Sequence, residues 1–548
     1  MRGKNLKKLA GIMLAAALAV GCMGCGQDVT KEESRESGTA AGGTTQAGAA
    51  ETAGETAKPQ EPVTLQWYYR GNGVQKDTQA VENRVNELLK EYEGLEHVTI
   101  KMNPFISSDY ANGVLLAQTS GAQIDILNTV GLKYADEVNN GTFIALDEYL
   151  DSEEFSDLKA ALPEWLWKNI EVNHAVYAVP NYQRAANRQA LTYPSEYAEY
   201  IDSQALQPLL KDGVRTVEDL EVLADAWKQY VLGVREKTGL DTKYCDRLPY
   251  YYLKQHIGGY NDTLANGGFI MYSGETEVKN VFFTDTFKKA CEIVAGWYEE
   301  GLIPGDILVR DRDAYIKKNM MNEESIPLNF EQFAFNGGEI FTSEDYGFET
   351  TSIPVYENNF LLNNWGAGGN GVTSSCEHPK EALKFIEALT TGTELGTEIY
   401  NTIVYGLEGV HYDKVDDTHI TTREYDTFQA GTDVSYAAHK WIIGNTFHAY
   451  LNQACKDSDV ERDLAINNNP DNIESPFMGF RLDTSAISSE IEQCSAVVKE
   501  YQDSLCWGVK GIGWEAYYDE FIQKLETAGC RKVIDEIQKQ FDAWASSK

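Results

Sequence analysis

Basic charge is scarce in this chain. Its 548 residues carry 47 Lys and Arg against 84 Asp and Glu, a net charge of −37. Such a surface repels nucleic-acid backbones and anionic bilayers, which excludes both as partners. Long apolar runs are missing too: outside residues 9–20 none approaches the ~18–20 residues that span a bilayer. Of the nine cysteines, the seven beyond residue 25 include no pair separated by only two residues, so they form no zinc ribbon or redox pair, and the eight histidines show no i, i+4 pairing. No Gly-x-Ser-x-Gly elbow, His-Glu-x-x-His or Walker A loop occurs. What is abundant is aromatic: 31 Tyr, 20 Phe and 10 Trp, too many for a disordered or fibrous chain. The length exceeds one core, so two or more lobes are expected.

Residues 1–25 read as an export signal. Arg2, Lys4, Lys7 and Lys8 precede an apolar stretch from Leu9 to Val20, too short for a transmembrane helix and right for a signal-peptide core. Leu18-Ala19-Val20-Gly21-Cys22 resembles a bacterial lipobox, which makes Cys22 the expected lipidation site, with Cys25 a poorer alternative. Diacylglycerol plus an amide-linked chain such as palmitate would anchor the protein stably, since two acyl chains hold where one is marginal. Residues 26–62 contain no aromatic residue, and 17 of the 21 residues from Ser37 to Ala57 are Ala, Gly or Thr. This is a disordered tether with a reach of roughly 33 Å. The seven later cysteines, odd in number and scattered, read mostly as small buried hydrophobes.

Beyond the tether, Val63 to Tyr69 is a β-branched and aromatic strand. Val81, Val85, Leu88, Leu89 and Tyr92 form one helical stripe. His97 to Met102 is a strand, Tyr110 to Gln118 a helix and Gln123 to Asn128 a strand. This alternation predicts a parallel doubly wound α/β sheet. Ligands of such sheets sit beyond the carboxyl ends of the strands, which singles out Tyr69 and Arg70 after the first strand and Asn128 after the third. Arg70 could equally pair with one of the many acids. Trp67 and Tyr68 are expected in the core.

The run 124–147, IDILNTVGLKYADEVNNGTFIALD, with VYAVPNYQ from Val176 to Gln183, resembles the family-1 extracellular solute-binding proteins of ABC importers, the maltose-binding-protein-like group. Ser375 to Leu389 matches that family's Ser/Thr-x-x-Pro-x-x-Ala helix. Tyr405 to Tyr412 (YGLEGVHY), Ser475 to Phe480 and the ending from Tyr517 to Trp544 resemble a subgroup with a C-terminal domain of unknown function. The resemblance implies a two-lobed, type II-like binding-protein fold with crossing hinge strands and a helical C-terminal part. Residues 63–184 and 355–425 would build one lobe, and 185–350 and 430–546 the other. The Asn467-Asn468-Asn469-Pro470 turn has no counterpart in the family pattern and reads as a surface loop.

That resemblance implies no catalytic residue, cofactor or metal. It adds Asn181, Tyr182 and Gln183 after the crossing Pro180, Trp365 before the glycine run, and Glu408 in the signature turn as ligand-binding candidates. Aromatic platforms with amide and charged partners suit sugars, so an oligosaccharide is the expected ligand. Gly366-Ala367-Gly368-Gly369-Asn370-Gly371 has dinucleotide-loop spacing but no helix directly after it, so it reads as a flexible loop at the cleft edge, leading into a strand at 372–374. The implied protein is a monomeric lipoprotein on the outer face of the cell membrane that serves ABC permease subunits. A ligand sensor acting on a membrane partner without import is the alternative.

Overall fold

The computed structural model describes residues 61–183, 186–239, 248–249, 261–272, 275–309, 329–332, 350–361, 368–423, 435–453 and 457–547. Cys22, the signal and most of the tether lie outside them, as does Trp365. Fifteen strands are described: β1 (Val63–Gly71), β2 (Val98–Ile106), β3 (Ile126–Asn128), β4 (Val179–Pro180), β5 (Ala186–Pro194), β6 (Asn261–Ala265), β7 (Phe269–Tyr272), β8 (Lys279–Asn280), β9 (Asn329–Gln332), β10 (Thr350–Leu361), β11 (Gly369–Val372), β12 (Tyr412–Lys414), β13 (His419–Thr422), β14 (Leu451–Asn452) and β15 (Ile473–Glu474). Among the described residues no helix is long and apolar enough to cross a membrane.

The first lobe is built on the sheet β2-β1-β3-β11-β4. β1 runs parallel to β2, with Val63 opposite Val98 and Trp67 opposite Met102, and parallel to β3; β11 runs antiparallel to β3 and β4. β1 alternates buried and partly exposed residues, so Trp67 and Tyr69 share the buried face while Tyr68 and Arg70 share the other. Helix Thr78–Leu89 covers the sheet through Val81, Val85, Leu88 and Leu89. Helix Pro379–Ala388, with Pro379 in its first turn, adds Ala382, Leu383, Phe385 and Ile386. The Phe385 ring meets Trp67 edge-on at 5.5 Å.

The second lobe carries the sheet β15-β10-β5-β9 and a smaller sheet β6-β7-β8. Helices Val217–Thr238 and Asp285–Glu299 form one core with Leu191 and Ile353. A third core joins Phe269, Phe282 and Phe287 to three C-terminal helices, Ser488–Cys506, Trp514–Thr527 and Cys530–Ala545. Cys291, Cys494 and Cys530 are buried in the third core and Cys506 is buried as well, as their scatter suggested.

The chain passes between the lobes three times: from β4 to β5, from β10 back to β11, and from β14 to β15 through helix Asp457–Asn467. The observed lobe boundaries differ from the expected ones in two places. Residues 355–361 belong to the second lobe, because β10 pairs antiparallel with β5 from Thr350 to Leu361, across a register shift between Val355 and Phe360. Residues 435–452 pack on the first: Tyr436, Ile442, Ile443 and Tyr450 sit in its core. The glycine run differs as well. Gly369 to Val372 is a fully buried strand rather than part of a loop. A Cβ on Gly369 would lie 2.1 Å from the Val179 carbonyl oxygen, and one on Gly371 would lie 2.5 Å from the Phe143 ring. The glycines let β11 press against its neighbours, a packing role rather than a phosphate cradle.

Candidate functional site

The carboxyl ends of β1, β3 and β4 and the amino end of β11 lie along one edge of the first sheet, facing the crossings into the second lobe. A continuous wall of side chains and turns runs along this edge. Arg70, half-buried at the end of β1, lies along the turn after β3: a Cβ on Gly131, whose φ is +90°, would sit 3.2 Å from Arg70 Cδ. One residue back, Val130 Cγ2 would lie 2.3 Å from a Cβ on Gly368, which in turn would lie 3.8 Å from Asn181 Nδ2. Backbone bonds fasten the wall: Thr129 N–H donates to the Gly369 carbonyl (2.8 Å), and Asn181 N–H donates to the Gly368 carbonyl (2.9 Å).

Asn128 lies beneath this wall. It is fully buried, and its amide nitrogen donates to the Ile442 carbonyl (2.8 Å) and to Asn370 Oδ1 (3.2 Å), while its oxygen accepts from Val130 N–H (3.1 Å). Asn370 Nδ2 donates to the Ile443 carbonyl (2.9 Å), and its oxygen also accepts from Trp67 Nε1 (3.1 Å). Two buried amides thus hold the short segment 440–443 against the strand ends. Its Trp441 is partly exposed and stacks on His439 at 5.2 Å and 21°. His439 has a lowered pKa, chiefly from burial and secondarily from the positive charge of Arg70. Neither Trp441 nor Asn370 is singled out by the sequence, and His439 reads there only as a solvent-side or core histidine. Trp441 lies in a short turn with no periodic pattern, and Asn370 was read only as part of a glycine run.

Tyr69 is a core residue: it stacks on Trp67 at 4.2 Å, is hydrogen-bonded to Tyr436, and burial pushes its phenol pKa up. The strand's period of two carries it inward with Trp67 and leaves Arg70 on the other face. Tyr182 is buried in the first crossing, edge-on to Trp165 and Phe447. Its N–H donates to the Gly444 carbonyl (3.0 Å), its carbonyl accepts from Thr446, and its hydroxyl accepts from Asn468 Nδ2 (3.3 Å). The Gln183 carbonyl accepts from Asn467 Nδ2 (2.8 Å). Asn467 is buried at the end of its helix, so the asparagine turn ties one crossing to another instead of forming a free surface loop. Glu408 is exposed and faces Lys414 at 3.9 Å. Its signature turn is held by Leu407 N–H donating to His411 Nδ1 (2.8 Å) and by His411 Nε2 against Asp77 (3.2 Å).

Two α/β lobes joined by three crossings, with amide and aromatic side chains along the edge where they meet, define the architecture of a solute-binding protein. The domain of unknown function DUF3502 matches residues 476–546. A carbohydrate ABC transporter substrate-binding protein of Streptococcus pneumoniae serotype 4 is 26% identical over 456 residues, 80% of this chain and 83% of that protein. The crystal structure of the N-glycan transport solute binding protein NgtS from Streptococcus pneumoniae matches with a TM-score of 0.66 at 20% identity, covering 89% of this chain and 99% of that one. The same protein in complex with Man1GlcNAc matches at 0.61 and 20% identity, covering 88% and 100%. Over most of its length the chain is thus similar to ABC-transporter substrate-binding proteins, and its C-terminal residues 476–546 match DUF3502. Such proteins are non-enzymatic.

Proposed function

We propose that this protein is a lipid-anchored extracellular binding protein that captures an oligosaccharide between its lobes and delivers it to an ABC importer. The observation that carries the reading is the wall from Arg70 to Asn181 with Trp441 beside it. Asn181 is 3% exposed, yet among the described residues neither polar atom of its side chain has a partner. An orphaned buried amide costs free energy that a ligand hydroxyl would recover, because hydroxyls both donate and accept. A partly exposed indole offers an apolar face to sugar C–H groups. The carbohydrate relative and the glycan complex of NgtS support the same ligand class.

Within this reading Arg70, Asn181 and Trp441 touch ligand, Trp365 remains a proposed stacking residue, and Asn128, Tyr182 and Gln183 position the wall and the hinge. Cys22 carries the lipid, and the working form is a monomer beside its permease subunits. A thermal-shift screen with the full chain tests the central point. A ligand at 100 times its Kd stabilises by about 2.7 kcal/mol, so mannose- and GlcNAc-containing oligosaccharides should raise Tm while amino acids and peptides leave it unchanged. Stabilisation by peptides alone would refute the oligosaccharide reading. In cells, Cys22→Ala should release the protein from the membrane fraction or strand its precursor, and Cys25→Ala should do neither.

A further inference from the structure

Arg70 has an unusual position for a cation in so acidic a chain. Arg84 meets Glu87 and Glu398, and Arg423 meets Asp413. Arg70 is half-buried and, among the described residues, meets no carboxylate and donates no hydrogen bond, although the chain holds 84 acids. Its surroundings are the Gly131 turn, Tyr110 and His439. His439, neutral or cationic, brings no compensating negative charge in either state. A partly desolvated guanidinium left alone is costly, and its planar fork fits a carboxylate through two parallel hydrogen bonds.

Asn181, the other unpartnered group of this wall, closes its far end. Arg70 and Asn181 follow strands three steps apart in the order β1-β3-β11-β4. At the usual strand spacing their backbones are on the order of 14 Å apart, more than one sugar ring can bridge.

Resting on the reading of the cleft as an oligosaccharide site, we propose that its ligand carries a carboxylate sugar, a uronic or sialic acid unit. The carboxylate pairs with the Arg70 guanidinium, and hydroxyls of a unit further along the chain pair with the Asn181 amide. Asn181 contributes to holding any oligosaccharide, and Arg70 selects the acidic ones.

The test is a glycan array of neutral and acidic oligosaccharides probed with the full chain, followed by calorimetry with trigalacturonate, sialyllactose, galactotriose and lactose. The array hits should be dominated by acidic glycans, and the two acidic calorimetric probes separate a uronate from a sialate source. Arg70→Gln should weaken acidic ligands by ~tenfold or more, and neutral ones by much less, with the apo Tm in place. Arg70→Lys, which keeps charge but loses the fork, should fall between, and it serves if the Gln variant folds poorly. Asn181→Ala should weaken acidic and neutral ligands alike. Hits confined to neutral glycans, with Arg70→Gln indistinguishable from wild type, would overturn this inference and leave sugar capture intact. Binding of no glycan of either kind would overturn both.

Discussion

Asn128 shows how one buried side chain fixes the turns at a sheet edge from beneath. Its three hydrogen bonds use most of its polar capacity, leaving little for a sugar, but they fix where residues 440–443 lie against the strand ends. Asn128→Ala would leave the Val130 N–H and the Ile442 carbonyl without that partner inside the core. We expect a loss of about 3 kcal/mol in urea unfolding, together with weaker ligand binding as the Trp441 turn loosens. Trp441→Ala should do the reverse: a modest change in apo stability, and affinity lower by over tenfold in calorimetry, the cost of losing an aromatic anchor. His448 supplies a pH signature. Burial lowers its pKa from the ordinary 6.5, so below that value the unfolded chain binds a proton that the folded chain resists. Stability therefore falls as pH drops through 6.5 toward the folded pKa, and His448→Gln should flatten the wild-type decline of Tm between about pH 7 and pH 5. At this scale the sequence was legible in part. The strand-end rule put Arg70 and Asn128 at the sheet edge where they lie, but it could not separate Tyr69 from Arg70 without knowing which face of β1 meets the core. Asn467 and Asn468 were missed because asparagines before a proline look like any turn; only the fold shows them gripping Gln183 and Tyr182.

At the level of elements, the alternation of strands and amphipathic helices from Val63 to Asn128 was readable because each buries one regular stripe. β10 was harder. Its pairing with β5 shifts register between Val355 and Phe360, so no single alternation marks where the strand ends or which lobe owns it. Residues 435–452 joined the first core through short turns and caps, which leave no periodic signal. β11 was hidden by its own glycines, since a run that spells a loop in isolation spells close packing between two strands. Gly369→Ala should disturb the β11–β4 pairing and cost more than the ~1–3 kcal/mol of ordinary overpacking, because the obstacle is the Val179 backbone oxygen rather than a movable side chain. Gly296 is the contrast. It sits in helix Asp285–Glu299 with open space where a Cβ would go, so Gly296→Ala should stabilise by about 0.5–1 kcal/mol in the same denaturation assay.

Across the whole molecule, the two lobes meet through more than the crossings. Arg481 follows the Phe477–Phe480 corner of the third core and donates to the Asn169 carbonyl on helix Glu164–Ile170 of the first lobe. Trp165 of that helix also packs on Met478. These contacts tie residues 476–546 to the lobe that carries the wall, so the proposed closure has to carry or break them. Ligand shifts an equilibrium between open and closed lobes only through tighter binding to the closed form. The central claim is capture of an oligosaccharide by closure of the lobes across the wall from Arg70 to Asn181. Small-angle X-ray scattering of the full chain, without and with an oligosaccharide whose saturation is verified by calorimetry, measures this directly. A decrease in radius of gyration on saturation is the expected result; an unchanged profile with the ligand fully bound would contradict capture by closure.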